Sequence, residues 1–155
     1  MHELSVNEAR SQERLDSGGN ALPLLSVRLE LTRKTDLAIR AMRALNAADD
    51  RIPGRQLAEI IDTTAPFVSQ VVNPLVQRGW LDSKPGPSGG YGLAVDPNTV
   101  TILEVIELIE GPIDNGMCVL VGGPCSEEHC SVHEAWTEAR RELRSAFAKV
   151  TVAQD

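Results

Sequence analysis

A mostly α-helical domain with one small β-hairpin is what this sequence predicts. Three observations carry it: apolar residues recur at helical spacing in five segments, Pro/Gly punctuation falls between those segments, and a single short stretch around "KPGPSGGYG" reads as a hairpin. The first 26 residues, polar and without periodicity, read as a disordered extension. In "LTRKTDLAIRAMRALN", Thr32 is placed to cap a helix whose Leu37, Ala38, Ala41, Met42 and Leu45 share one face. "IPGRQLAEIID" predicts a shorter helix with Pro53 in its first turn and Leu57, Ile60 and Ile61 turned inward. "TTAPFVSQVVNPLVQRGW" predicts a third, capped by Thr64 and ended by Gly79, whose apolar Phe67, Val68, Val71, Val72 and Leu75 recur at helical spacing.

"LDSKPGPSGGYGLAVDP" supplies two short extended pieces around an oversized Pro/Gly tip. "TILEVIELIEG" opens on a capping box, Thr101 with Glu104, and closes at Gly111. The last helix is expected from about Cys130 to Val150, and its Trp136, Ala139, Leu143, Ala146 and Val150 alternate three and four apart, the seam of a coiled-coil pairing. Three helices followed by a hairpin describe a winged helix-turn-helix, whose second turn helix enters the major groove of DNA while the wing reaches flanking backbone. The chain thus divides into residues 1–26 as extension, 27–111 as winged helix, 112–133 as a cysteine-rich loop and 130–150 as a dimerisation helix.

The totals fit this plan. At 155 residues, 42% of them apolar and 24% charged, the chain suits one domain with one core, built from Leu, Val, Ile and Ala because aromatics are only 3%. No apolar run approaches the roughly 20 residues of a membrane span, and the N-terminus lacks the basic and apolar regions of a signal peptide. A cytoplasmic protein without a membrane partner is expected. The net charge of −7 is unevenly spread: residues 27–97 carry +1, residues 98–155 carry −6 and the first 26 carry −2. The acidity therefore lies outside the segment expected to meet DNA. No nucleophile–base pair, phosphate-binding loop or paired-carboxylate motif stands out, so no enzyme is expected.

All the cysteines lie in "CVLVGGPCSEEHCSVHEAW", spaced Cys118-x6-Cys125-x4-Cys130-x2-His133. An odd number of clustered thiols in a reducing compartment points to metal or redox chemistry rather than to structural disulfides. His133, three residues after Cys130, shares its face on a helix starting there. Cys3His is also a structural zinc set, although the short C-x2-C pairs usual in zinc sites are missing. His129 reads as exposed. Along the third helix, Thr64, Ser69, Gln70 and Asn73 are candidates for base contact, since Gln and Asn pair bidentately with adenine. Arg28, Arg33, Arg55 and Lys84 are candidates for phosphate, and Tyr91 is placed to stiffen the wing or reach backbone.

"LTRKTDLAIRAMRAL", "APFVSQVVNPLVQRGWL", "SKPGPSGGYGLA", "ILEVIELIEG" and "CSVHEAW" together resemble the IscR/NsrR (BadM-type) winged-helix regulators, over about residues 27–150. The Gly-Gly-Tyr of the wing and the Cys-x2-His-x2-Trp are the most specific elements. The resemblance implies a homodimeric transcription factor binding a double-stranded DNA operator, more a repressor than an activator, and tuned by an iron–sulfur cluster. It implies Cys118, Cys125 and Cys130 as ligands, with His133 completing a 2Fe-2S site; in the nitric-oxide-sensing branch Asp36, from the other subunit, would complete a 4Fe-4S site. The match of "CSVHEAW" favours 2Fe-2S. Such regulators usually begin close to the "LT" pair, so Val27 is expected as the native start.

Three features depart from the family pattern. The middle thiol is displaced by one residue from the usual five-residue gaps. The wing lacks an Arg before its glycines and has Gly92 after Tyr91, and Pro74 interrupts the recognition helix, where an interior proline costs about 3 kcal/mol. The last two predict altered specificity and a shallow salt dependence of DNA binding.

Overall fold

The computed structural model describes residues 31–120, 123–125 and 130–154. The extension, Val27, Arg28 and His129 lie outside the described residues. Helices α1 (Arg33–Asn46), α2 (Gly54–Ile60) and α3 (Ala65–Arg78) precede strands β1 (Leu81–Lys84) and β2 (Gly90–Leu93); α4 (Ile102–Glu110) and α5 (His133–Phe147) complete the set. This is a winged helix-turn-helix with an added C-terminal helix.

The apolar faces read from the sequence meet in one core. Leu37, Ala38, Ala41, Met42 and Leu45 of α1 pack with Leu57 and Ala58 of α2, Val68, Val71, Val72 and Leu75 of α3, and Val105 and Ile106 of α4. Thr32 caps α1, its hydroxyl accepting from the Thr35 N–H at 3.3 Å. The buried Thr35 hydroxyl donates to Glu110 Oε1 at 2.5 Å, and the same carboxylate accepts the Thr32 N–H at 2.8 Å, so the start of α1 is tied to the end of α4. Between α2 and α3 the chain reverses through Asp62 at φ +55°, a left-handed turn that Asp tolerates. Gly79 ends α3 at φ +82°, and the Trp80 N–H closes back on the Leu75 carbonyl at 2.9 Å. The Thr101–Glu104 capping box is present in both directions.

Three expectations need correcting. Ile60 is 47% exposed rather than inward; in a helix of only seven residues Leu57 and Ile61, four apart, take the inner face and Ile60 lies on its flank. Thr64 occupies the cap position of α3 without a side-chain bond to the helix. The last helix runs from His133 to Phe147 instead of about Cys130 to Val150. Its end is set by a backbone strap: the Val150 carbonyl accepts the Ile102 N–H at 2.8 Å, and the Val152 N–H donates to the Val100 carbonyl at 2.9 Å. Val152 is fully buried in the core, and Arg43 of α1 holds the carbonyls of Val152 and Gln154.

β1 and β2 pair antiparallel, Leu81 opposite Leu93 and Lys84 opposite Gly90. Their root is pinned beside α2 by two bonds between Ile52 and Tyr91, at 2.9 and 3.0 Å. Gly90 sits at φ +141° with Ile52 O only 2.5 Å from where a Cβ would lie, so no side chain fits there. Arg51 pairs with Asp82 of β1, and the hydrogen bond from Arg51, aided by charge attraction and opposed by desolvation, holds the Asp82 carboxyl below its ordinary range. A depressed carboxyl stabilises the fold above its unfolded value near pH 3.9 and loses that contribution as pH falls through its folded value. The melting temperature of Asp82→Asn is therefore expected below wild type at pH 6 and convergent with it toward pH 3, by a small amount because both partners are partly solvated.

Candidate functional site

Short contacts bring together the described residues of the cysteine-rich segment. Met117 bridges Pro124, and the Cys118 N–H donates to the Gly123 carbonyl at 2.6 Å, which brings Cys118 back over Cys125. The Cys130 N–H donates to Cys125 Sγ at 3.3 Å, and the Cys118 thiol lies 3.5 Å from Cys130 Sγ. All three Sγ atoms fall within 4.8 Å of one another. Cys118 is buried, the other two are half-buried, and none is in a disulfide. On Cys130 the largest influence, the Val132 N–H, favours the thiolate; desolvation and the two neighbouring sulfurs outweigh it and hold the thiol above its ordinary range.

His133 opens α5, its N–H donating to the Cys130 carbonyl at 3.0 Å. It lines the same cavity as the thiols, of about 20 Å³, beside the tight sulfur group rather than within it. Asp36 is on the solvent side of α1, paired with Arg40 at 3.7 Å, and is not part of the thiol group of its own chain.

Soft donors this close suit a metal centre. A tetrahedral ion with metal–sulfur bonds of about 2.3 Å sets its sulfurs roughly 3.8 Å apart, near the spacing seen here. A two-iron cluster shares its ligands between two irons and needs one sulfur farther out. The donor set suits both, and the sulfur spacing is the more compact of the two arrangements.

Arg140, which the sequence reading did not single out, is the residue it missed. Its side chain is only 10% exposed and lines the thiol cavity, one turn beyond Trp136 and two beyond His133. The recurrence His133, Trp136, Arg140 on one helix face was the available signal.

Ser69, Gln70 and Asn73 are exposed on α3, as is Thr64 at its start, while Val68, Val71, Val72 and Leu75 are buried. Arg55 on α2 and Lys84 at the wing are exposed, and Arg33 donates to the Asp62 carbonyl at 3.2 Å. Tyr91 is half-buried, its ring against Gly54 and its backbone on Ile52, so it braces the root of the wing.

The sequence profile described as Rrf2, iron-dependent transcriptional regulator, matches residues 31–154. The chain belongs to the Rrf2 family. Among its relatives, an HTH-type transcriptional regulator of Aquifex aeolicus is 33% identical over 115 residues, covering 72% of this chain and 79% of that protein. The HTH-type transcriptional regulator IscR of Klebsiella pneumoniae is 27% identical over 128 residues, 81% of this chain and 78% of its own. Two solved structures share the Rrf2 fold: IscR of T. potens (TM-score 0.64, 20% identity, 81% of this chain and 84% of that one) and CymR, the global cysteine regulator of B. subtilis (TM-score 0.65, 24% identity, 81% and 94%). As an Rrf2 protein the chain is a helix-turn-helix transcriptional regulator and not an enzyme. Among the described residues, no helix is long and apolar enough to cross a membrane.

Proposed function

We propose that this chain is a cytoplasmic, homodimeric regulator, a repressor, whose grip on an operator is set by an iron–sulfur cluster held through Cys118, Cys125 and Cys130. The observation that carries the reading is the convergence of these thiols at the foot of α5. The family's iron dependence and the resemblance to the IscR/NsrR regulators support iron. His133, beside the thiols, is the preferred fourth ligand and 2Fe-2S the preferred cluster; Asp36 from a second copy with 4Fe-4S is the alternative. A bound cluster supplies redox and ligand-exchange chemistry at its irons. The protein's own part is mechanical. Cys130 and His133 flank the joint between loop and helix, so a change in ligation moves the start of α5. The far end of α5 is strapped to the start of α4, which packs on α1 and α3. The exposed Ala139, Leu143 and Ala146 offer α5 to a second copy, so such a displacement would alter how two recognition helices are spaced.

Gln70 and Asn73 are the base readers in this scheme, with Thr64 and Ser69 beside them; Arg28, Arg33, Arg55 and Lys84 take phosphate, and Tyr91 braces the wing. Gln70→Ala or Asn73→Ala is expected to cost about 1–3 kcal/mol of operator binding and to relax base preference locally. Fluorescence anisotropy on operator variants measures both.

A second reading has a specific observation behind it. Sulfurs within 4.8 Å of one another also suit a single metal ion or a thiol switch. Anaerobic purification with iron, zinc and acid-labile sulfide quantification separates the two, followed by binding to the DNA upstream of the chain's own gene at fixed salt. Iron and sulfide in equal amounts, with different affinities for loaded and stripped protein, support the cluster reading. Zinc without sulfide, or equal affinities, overturns it.

A further inference from the structure

We propose that Arg140 is a charge-balancing residue for the thiol centre, setting how readily the bound cluster accepts an electron. The inference rests on the cluster reading above and deepens it. A guanidinium is always charged, and removing it from water is unfavourable unless its N–H groups and charge are matched. Arg140 is nine-tenths buried, yet its Nε and Nη1 have no aligned hydrogen-bond acceptor among the described residues. Asp114 Oδ1 approaches Nη1 to 3.1 Å as a charge contact without hydrogen-bond alignment, and this carboxylate is half in solvent. Trp136 offers its ring face, 5.7 Å from the guanidinium carbon. These contacts leave buried donors unspent.

The wall Arg140 shares with Cys118, Cys125, Cys130 and His133 supplies what is missing. Three thiolates place three negative charges on that cavity, and sulfur ligands and sulfides accept hydrogen bonds. Each electron added to the cluster adds one further negative charge and changes no covalent bond of Arg140. A fixed cation beside the site therefore favours the reduced form over the oxidised one, and the effect is large where water is excluded. Asp114 partly offsets the cation, so the pair holds the potential between two extremes.

The experiment is a dithionite titration of anaerobically loaded full-length protein, with the midpoint read from visible absorption. Arg140→Gln is expected to disfavour reduction about tenfold at a fixed ambient potential, a shift of about 59 mV to the negative for a one-electron couple. Arg140→Lys, which keeps the charge, should stay nearer wild type. Asp114→Asn, a substitution at a half-exposed position that does not depend on tolerance of the buried site, should shift the midpoint in the positive direction. A merely structural arginine would give no opposite shifts for the two partners. Coloured wild-type protein whose midpoint is unmoved in Arg140→Gln and Asp114→Asn overturns this inference and leaves the cluster reading standing. A wild-type chain that takes up iron without sulfide overturns both.

Discussion

Val152→Asp is expected to lower the melting temperature of the winged-helix domain steeply, although the substitution lies beyond every helix. Val152 is fully buried in the core with α1, α3 and α4, and its N–H is committed to the Val100 carbonyl. Burial of a valine side chain contributes about 1.5–3 kcal/mol. Burying an unpaired carboxylate in its place adds a comparable or larger penalty, so a loss of roughly 4 kcal/mol or more is expected out of a total stability of about 5–15 kcal/mol. Val152→Ala, which leaves only a cavity, should cost about 2 kcal/mol. Thermal unfolding followed by circular dichroism distinguishes the two. If Val152→Asp melts where the wild type does, the strap does not belong to the cooperative unit.

Cys118→Ala, Cys125→Ala and Cys130→Ala are each expected to abolish visible absorption and cut bound iron at least tenfold, and the triple substitution to do little more. The three sulfurs converge on one point, so losing one leaves two thiolates without a closed site. The loaded-versus-stripped difference in operator affinity should vanish in the same variants. His133→Ala retains three thiolates and is expected to keep colour at lower occupancy, with Asp36→Ala unaffected. If colour instead survives His133→Ala intact and falls in Asp36→Ala, the fourth ligand comes from a second copy. A single cysteine variant that keeps full iron and sulfide rules out that cysteine as a ligand.

How far the sequence is legible depends on how local the determining contacts are. The α1 face from Leu37 to Leu45, the Thr101–Glu104 box and the Gly79 stop are written within one or two turns, and each is found where its spacing places it. Ile60 misleads because a seven-residue helix has too narrow a buried stripe for its last apolar position. The end of α5 is hidden because it is fixed by Val100 and Ile102, some fifty residues upstream, rather than by any stop signal near Val150. At the site, the thiol spacing announces a centre, since close spacing makes convergence cheap in loop entropy. Arg140 is illegible for the opposite reason. Within "EARRELRS" only its spacing from Trp136 and His133 separates it from its solvated neighbours, and its partner Asp114 lies more than twenty residues upstream.

Pro74 lies inside α3, yet the helix continues to Arg78. Lacking an N–H, it cannot return a bond to the Gln70 carbonyl one turn earlier. The turns bearing Ser69 and Gln70 are thus joined to the core-locked turn around Leu75 by one fewer backbone bond. Val68, Val71 and Val72 before the gap and Leu75 after it are all fully buried, so core packing rather than that bond keeps the two halves of the helix in line.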